Sequence, residues 1–165
     1  MRRGLLLVTL LMLPLLVGTS AHAKELQGRL GLGYNAEFEN FYVDGGVPAI
    51  SIKYGMTRAF GIEGVFGTTT SSTNKNSVAG AKLYQNIFFE TNLNFYAMIG
   101  GAVVTVPTHS GGQFIGGFGV EFFIPGIESL GLAMETGGSF DNLSGSFVLK
   151  TLGVSFLNAG MHFYF

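Results

Sequence analysis

The sequence contains no cysteine and no tryptophan, only four prolines, and only 12% charged residues. The missing cysteine excludes disulfide staples, thiolate metal sites, a thiol nucleophile and the lipid-bearing cysteine of a lipoprotein. The missing tryptophan means that any interfacial aromatic belt is built from 16 Phe and 6 Tyr. Charge stands at about half the roughly 25% usual for soluble domains, while 47% of the residues are hydrophobic. A chain this apolar spares little surface for water. Yet no apolar run outside the N-terminus reaches the roughly 20 residues that a spanning helix needs. Hydrocarbon offers no partner to an unpaired backbone group, so the remaining way to cross it is a closed β-barrel. At 165 residues there is room for one such domain.

The N-terminus is organised differently from the rest. Arg2 and Arg3 precede a short apolar core from Leu5 to Val17, interrupted by Pro14, and Ala21-His22-Ala23 supplies a small-x-small cleavage pattern. The core is too short for a membrane anchor, so residues 1–23 are expected to be a cleaved signal peptide and residues 24–165 the mature barrel domain, starting at Lys24. Loss of Arg2 and Arg3 lowers the nine basic residues to seven against ten acidic ones, a net charge of −3. That balance gives no electrostatic footprint for nucleic acid, which is not expected as a partner.

What the mature chain does have is a period of two. Leu26, Leu30, Leu32 and Tyr34 alternate with Gln27, Arg29, Gly31 and Gly33, which puts the two sets on opposite faces of a strand. The pattern returns seven more times. Pro48, Ile50, Ile52 and Tyr54 face away from Ser51 and Lys53, and Phe60, Ile62 and Phe66 away from Gly61, Glu63 and Gly67. Ala79, Ala81, Leu83, Ile87 and Phe89 oppose Lys82, Tyr84 and Asn86, with Gln85 out of place on the apolar face. Leu93, Phe95, Ala97, Ile99 and Val103 oppose Asn92, Asn94, Tyr96 and Gly100; Phe114, Phe118, Val120 and Phe122 oppose Gln113, Gly117, Gly119 and Glu121. Leu130, Leu132 and Met134 stand against Gly131 and Glu135, and the last strand runs to Phe165. Phe147 to Val154 is apolar without a clean register, as an early start and a bulge in the last strand would make it.

Alternation alone also suits a soluble sandwich or a lipocalin-like barrel. Connection length separates them. Gly55 to Arg58, Glu90 to Asn92 and Pro125 to Glu128 read as tight turns; Asn35 to Gly46, Thr68 to Ser77, Thr105 to Gly112 and Ser139 to Val154 read as longer, polar links. Strict alternation of short and long links is the asymmetry of outer-membrane barrels, with short periplasmic turns and longer outside loops. The fold expected is therefore an all-β, membrane-spanning, antiparallel up-and-down barrel of about eight strands.

The terminal strand, Leu157-x-Ala159-x-Met161-x-Phe163-x-Phe165, resembles the last strand of bacterial outer-membrane barrels, and the whole mature chain resembles the small OmpA/OmpX-type barrels, with no peptidoglycan-binding domain after it. The resemblance implies export to the bacterial outer membrane, contact with outer-membrane lipid and lipopolysaccharide, and recognition of the terminal residues by the barrel-assembly machinery. It does not by itself license a function.

Chemistry, if present, lies on the polar face. Arg29, Lys53, Glu63, Lys82, Glu121, Glu135 and His162 are expected to share one narrow lumen, where charges with little water need partners. A turn at Gly55 to Arg58 places Glu63 opposite Ser51 and diagonal to Lys53, and a turn near Pro125 places Glu121 diagonal to Glu135, with Arg29 or Lys82 long enough to reach between the two acids. Catalysis is not expected. Small barrels of this kind include lipid A deacylases and palmitoyl transferases that use Ser with His and an acid, but only His109 and His162 remain after Lys24, and His162 has no serine beside it in sequence. No phosphate loop or metal-ligand spacing occurs, so no cofactor is expected; the Gly-x-Gly patterns read as room for lumen side chains. The first outside loop mixes Glu37, Phe38, Glu39, Phe41, Tyr42 and Asp44, a solvated aromatic rim or a surface-contact loop. The function expected is non-enzymatic, in envelope structure or surface contact; the alternatives are a lipid A-modifying enzyme and a narrow channel.

Overall fold

A computed structural model describes residues 25–35, 49–70, 75–107, 109–143, 145–152 and 157–165. The expected signal peptide and the loop residues Glu37, Phe38, Glu39, Phe41, Tyr42 and Asp44 lie outside these residues, as does Pro48.

Nine strand segments follow one another: β1 (Leu30–Asn35), β2 (Ala49–Gly55), β3 (Phe60–Thr70), β4 (Lys75–Glu90), β5 (Leu93–Val106), β6 (His109–Ile124), β7 (Ile127–Leu143), β8 (Ser146–Thr151) and β9 (Asn158–Tyr164). Every strand pairing is antiparallel; β1 to β8 each pair with their sequence neighbours, and β9 pairs with β7 and closes the sheet against β1. β8 and β9 together form one stave: β8 pairs with Gly138 to Leu143 at one end of β7, and β9 with Leu130 to Glu135 at the other. The result is a closed barrel of eight staves, in which β8 is paired with β7 alone among the described residues. Of the stretch without a clean register, Phe147 to Thr151 belong to β8 and pair with β7, while residues 153–154 lie outside the described residues.

The faces sort as the alternation predicts. Ile50, Ile52, Ile62, Phe66, Leu83, Ile99, Phe114 and Phe118 point outward, Ile50 at 68% and Ile99 at 64% exposure. Lys53, Glu63, Lys82, Glu121, Glu135 and His162 point inward and are buried. Apolar outside and charged inside is the reverse of a soluble protein, and the arrangement that a bilayer demands. No described helix is long and apolar enough to span a membrane. Outward aromatics gather toward both ends: Phe88 stacks on Phe95 with ring centroids 4.8 Å apart near the β4–β5 turn, and Phe140 on Phe147 at 5.4 Å near the β7–β8 turn.

Five expectations are corrected. Leu26 is not on the outer face. Gly28, at φ 75°, turns the chain, its amide donates to the Gly55 carbonyl at 2.8 Å, and Leu26 tucks beneath the barrel against Phe123 and Tyr164. Gln27 is therefore exposed beside Gly55 rather than at the lumen end. Lys53, not Ser51, stands opposite Glu63, because the Thr57 hydroxyl accepts from the amides of Ala59 and Phe60 and carries the turn one residue further along. An irregularity between Asn86 and Phe88 moves Phe88 outward and sets Phe89 opposite inward Asn94. Finally, most of the links Thr68 to Ser77 and Thr105 to Gly112, and Ser139 to Thr151 of the fourth link, continue as strand, with paired residues up to Thr70↔Lys75, Val106↔His109 and Leu143↔Ser146. The long links there are ladders that run on beyond the apolar band, where neither face need be greasy.

Candidate functional site

The lumen is stacked in layers. At the end where β1 starts and β9 finishes, Leu26, Phe123 and Tyr164 form a small apolar floor. Above it lies the charged layer. Each of its three carboxylates accepts from one tyrosine hydroxyl and meets one ammonium. Glu121 accepts from Tyr164 at 2.6 Å and pairs with Lys53 at 2.9 Å. Glu135 accepts from Tyr96 at 2.7 Å and pairs with Lys82 at 3.1 Å. Glu63 accepts from Tyr84 and pairs with the same Lys82 at 3.3 Å. Lys53 also stands 4.3 Å over the Tyr84 ring and 4.9 Å over Tyr96. Tyr84, Tyr96 and Tyr164 rather than phenylalanines fill this layer for a reason: a buried carboxylate needs donors, and the phenol supplies both bulk and an O–H.

Glycines hold the space for these rings. A Cβ on Gly119 would stand 2.6 Å from the Tyr96 ring, and one on Gly131 2.8 Å from a Glu121 oxygen. The expected role of the strand glycines, making room for lumen side chains, is what the geometry gives at these positions.

A third layer is apolar: Val65, Val78, Met98, Ala102, Val104 and Ile115 close over the charges, joined by Leu152. Alternation did not foretell this cap. Beyond it Gln113, Ser139 and Asp141 are buried, with Ser139 donating to Asp141 at 3.1 Å and Lys150 3.8 Å away.

Of the seven residues expected in one lumen network, six meet there. Arg29 does not. It precedes β1, is half-buried at the floor, donates to the Tyr164 carbonyl at 3.4 Å and lies 5.8 Å from that ring, so Lys53 and Lys82 supply the counter-charge to Glu121 and Glu135. Glu121 and Glu135 are diagonal neighbours, as expected, since Glu121 faces Ala133.

No serine stands beside His162 in sequence, but closure of the barrel brings one to it from another strand. Ser51 Oγ lies 2.7 Å from His162 Nε2; Glu63 Oε1 is 3.3 Å from the same nitrogen, and Glu121 Oε1 is 3.6 Å from Nδ1. Ser51 and His162 belong to strands on either side of β1 and meet over Gly33, the residue between them in register, where a Cβ would stand 2.7 Å from the imidazole. Hydroxyl, imidazole and carboxylate in sequence are the parts of a nucleophilic triad. An acyl group would have to reach Ser51, however, and Ser51, His162 and Glu121 are all at most 1% exposed between the floor and the cap. Here Ser51 and Glu63 share the Nε2 edge of the ring, while Nδ1, 3.6 Å from Glu121, has no hydrogen-bond partner among the described residues. His109 opens β6, its backbone paired with Val106. Among the described residues no group of three His, Cys, Asp or Glu side chains is disposed to hold a metal ion.

A closed eight-stave antiparallel barrel, apolar outside and polar within, is the architecture of a small transmembrane β-barrel. No protein-family model matches the sequence and no curated protein matches it significantly. Among solved structures it is similar to Ail, the attachment invasion locus protein of Yersinia pestis, at 16% identity and a TM-score of 0.40, over 84% of this chain and 99% of that one.

Proposed function

We propose that this chain is a non-enzymatic integral protein of the bacterial outer membrane, which acts in envelope structure or surface contact through the loops opposite its termini. The observation that carries this reading is the filled lumen. Among the described residues side chains occupy it from the Leu26 floor to the Val104 cap, which favours this reading over a path for solutes or a chamber for a substrate. Loops on such a rigid scaffold are where binding usually lives. In this orientation the short turns lie on the periplasmic side, and the ends of β1 and β2 that the Glu37 to Asp44 link joins lie on the opposite side, near lipopolysaccharide.

Replacing Glu37, Phe38, Glu39, Phe41, Tyr42 and Asp44 with glycine and serine should leave barrel yield and folded gel mobility unchanged. It should reduce either attachment of whole cells to lipopolysaccharide-coated surfaces in calcium or resistance of the envelope to detergent. If neither readout changes, the loop reading is wrong. The second reading, a lipid A-modifying enzyme, draws on the 2.7 Å contact of Ser51 with His162; it requires that the acyl-chain pattern of lipid A change in cells expressing the parent and revert in Ser51→Ala.

The outward row Leu157, Ala159, Met161, Phe163 and Phe165 is proposed as the segment that the barrel-assembly machinery reads. All five residues are exposed on the wall, with Phe163 and Phe165 rings 5.2 Å apart. Deleting Phe165 should lower the amount of assembled barrel in outer membranes while purified protein still folds into vesicles. Normal membrane yield of the deleted chain would contradict this role.

A further inference from the structure

The charged layer does not balance on its lysines. Glu63, Glu121 and Glu135 set three carboxylates against the two ammoniums of Lys53 and Lys82, and all five side chains are buried. Arg29 stays at the floor, on the Tyr164 carbonyl. A surplus charge is strongly disfavoured where there is little water, so the layer calls for one more cation.

His162 is placed to be that cation. Each edge of its ring meets a carboxylate: Nε2 lies 3.3 Å from Glu63 Oε1, and Nδ1 lies 3.6 Å from Glu121 Oε1. A neutral imidazole has one N–H and one lone pair. Whichever nitrogen held the proton, the other would turn its lone pair on a carboxylate. With the proton on Nδ1 alone, Ser51 would donate to Nε2 across 2.7 Å, the arrangement of a nucleophile and its base, yet Glu63 would face the same lone pair. Only the imidazolium presents N–H to both sides. Nδ1 is buried with no hydrogen-bond partner, and the Glu121 oxygen opposite is the acceptor that a proton there would meet.

The position of the ring gives that charge leverage. His162 belongs to β9, and the residues beside it in register, Gly33 on β1 and Gly131 on β7, carry no side chain. The ring therefore reaches past the seam where β9 closes on β1, to Glu63 on β3 and Glu121 on β6. The other charged groups of the layer are Lys53 on β2, Lys82 on β4 and Glu135 on β7; Tyr84, Tyr96 and Tyr164 are its neutral donors. The two lysines oppose a third cation, and the three glutamates outweigh them.

We infer that the lumen is a proton-binding site, in which one proton held on His162 between Glu63 and Glu121 completes the charge balance and fastens the closing seam. At about pH 7.5 a free imidazole has mostly released its proton. A barrel that keeps it binds more protons folded than unfolded, so its stability falls as pH rises toward release.

The test is nitrogen NMR of the refolded barrel with isotope-labelled histidine, in micelles at about pH 7.5, with His109→Gln to assign the signals. Both ring nitrogens of His162 should carry a proton. A bare Nε2 would overturn the site in favour of the nucleophile arrangement, and a bare Nδ1 would overturn it by placing the balancing proton elsewhere. Unfolding gives a second readout. Between about pH 6 and about pH 9 the guanidinium midpoint of the parent in vesicles should fall, while that of His162→Gln should start lower and stay level. Adding Glu63→Gln to His162→Gln leaves Glu121 with Lys53 and Glu135 with Lys82, so the pair should be more stable than His162→Gln and equally indifferent to pH; it is the reference if the single variant does not fold. A level midpoint in the parent, or the same fall in the variants, would refute the proton site.

Discussion

Lys82→Met is expected to destabilise the folded barrel by about 3–5 kcal/mol, the usual effect of removing one member of a buried ion pair. Lys82 is fully buried and is the one ammonium within 4 Å of both Glu63 and Glu135 among the described residues. Its replacement has similar volume, so the loss reports charge rather than a cavity. Glu135 keeps neutral donors in Tyr96, Asn35 and Asn158, while Glu63 keeps the Tyr84 hydroxyl and its contact with the His162 ring. Neutral donors soften an unpaired carboxylate but do not replace a cation. Adding Glu63→Gln to Lys82→Met should therefore cost less than the two single changes combined, by about 0.5–3 kcal/mol. Glu63 and Lys53 should couple more weakly although they face each other in register, because Lys53 is committed to Glu121 at 2.9 Å. Guanidinium unfolding in lipid vesicles, followed by gel mobility, measures each variant. A Lys82→Met barrel that unfolds at the parent's midpoint would contradict the network.

Ile62→Arg should be nearly as damaging for the opposite reason. Ile62 lies on the outer face between Tyr54 and Leu83, and an arginine on a barrel wall costs about 2–4 kcal/mol at the bilayer midplane. Gln27→Arg, at an exposed position outside β1, should change folding yield into vesicles very little. Equal yields from the two variants would mean that the outer wall does not face lipid.

The outward face was legible because a bilayer imposes one rule on all of it: every second residue apolar. The charged layer was legible for the complementary reason, since Lys53, Glu63, Lys82, Glu121, Glu135 and His162 all fall on the other parity. What defeated the pattern was a departure from alternation. In Ala97 to Val106 both faces are apolar, so Met98, Ala102 and Val104 carry no mark of pointing inward, and the cap over the charges went unseen. Pairings depended on turn geometry. The Thr57 hydroxyl lengthens one turn by a residue, and that moves Glu63 from Ser51 to Lys53. The meeting of Ser51 and His162, 111 residues apart in sequence, needed the closure of β9 on β1. One local signal was present, a bare Gly33 on the inner face, but only the closed barrel shows what it separates. Polar strand ends beyond the membrane read as loops, because water on both sides removes the alternation.

Current through the parent barrel in a planar bilayer tests the central claim, that the lumen is filled and self-paired from floor to cap. No steady ion conductance is predicted at moderate voltage, because Lys53, Lys82 and the three glutamates hold one another across the lumen and Val65, Met98, Val104 and Ile115 close above them. A large, long-lived open state would contradict the filled lumen and make the protein a channel.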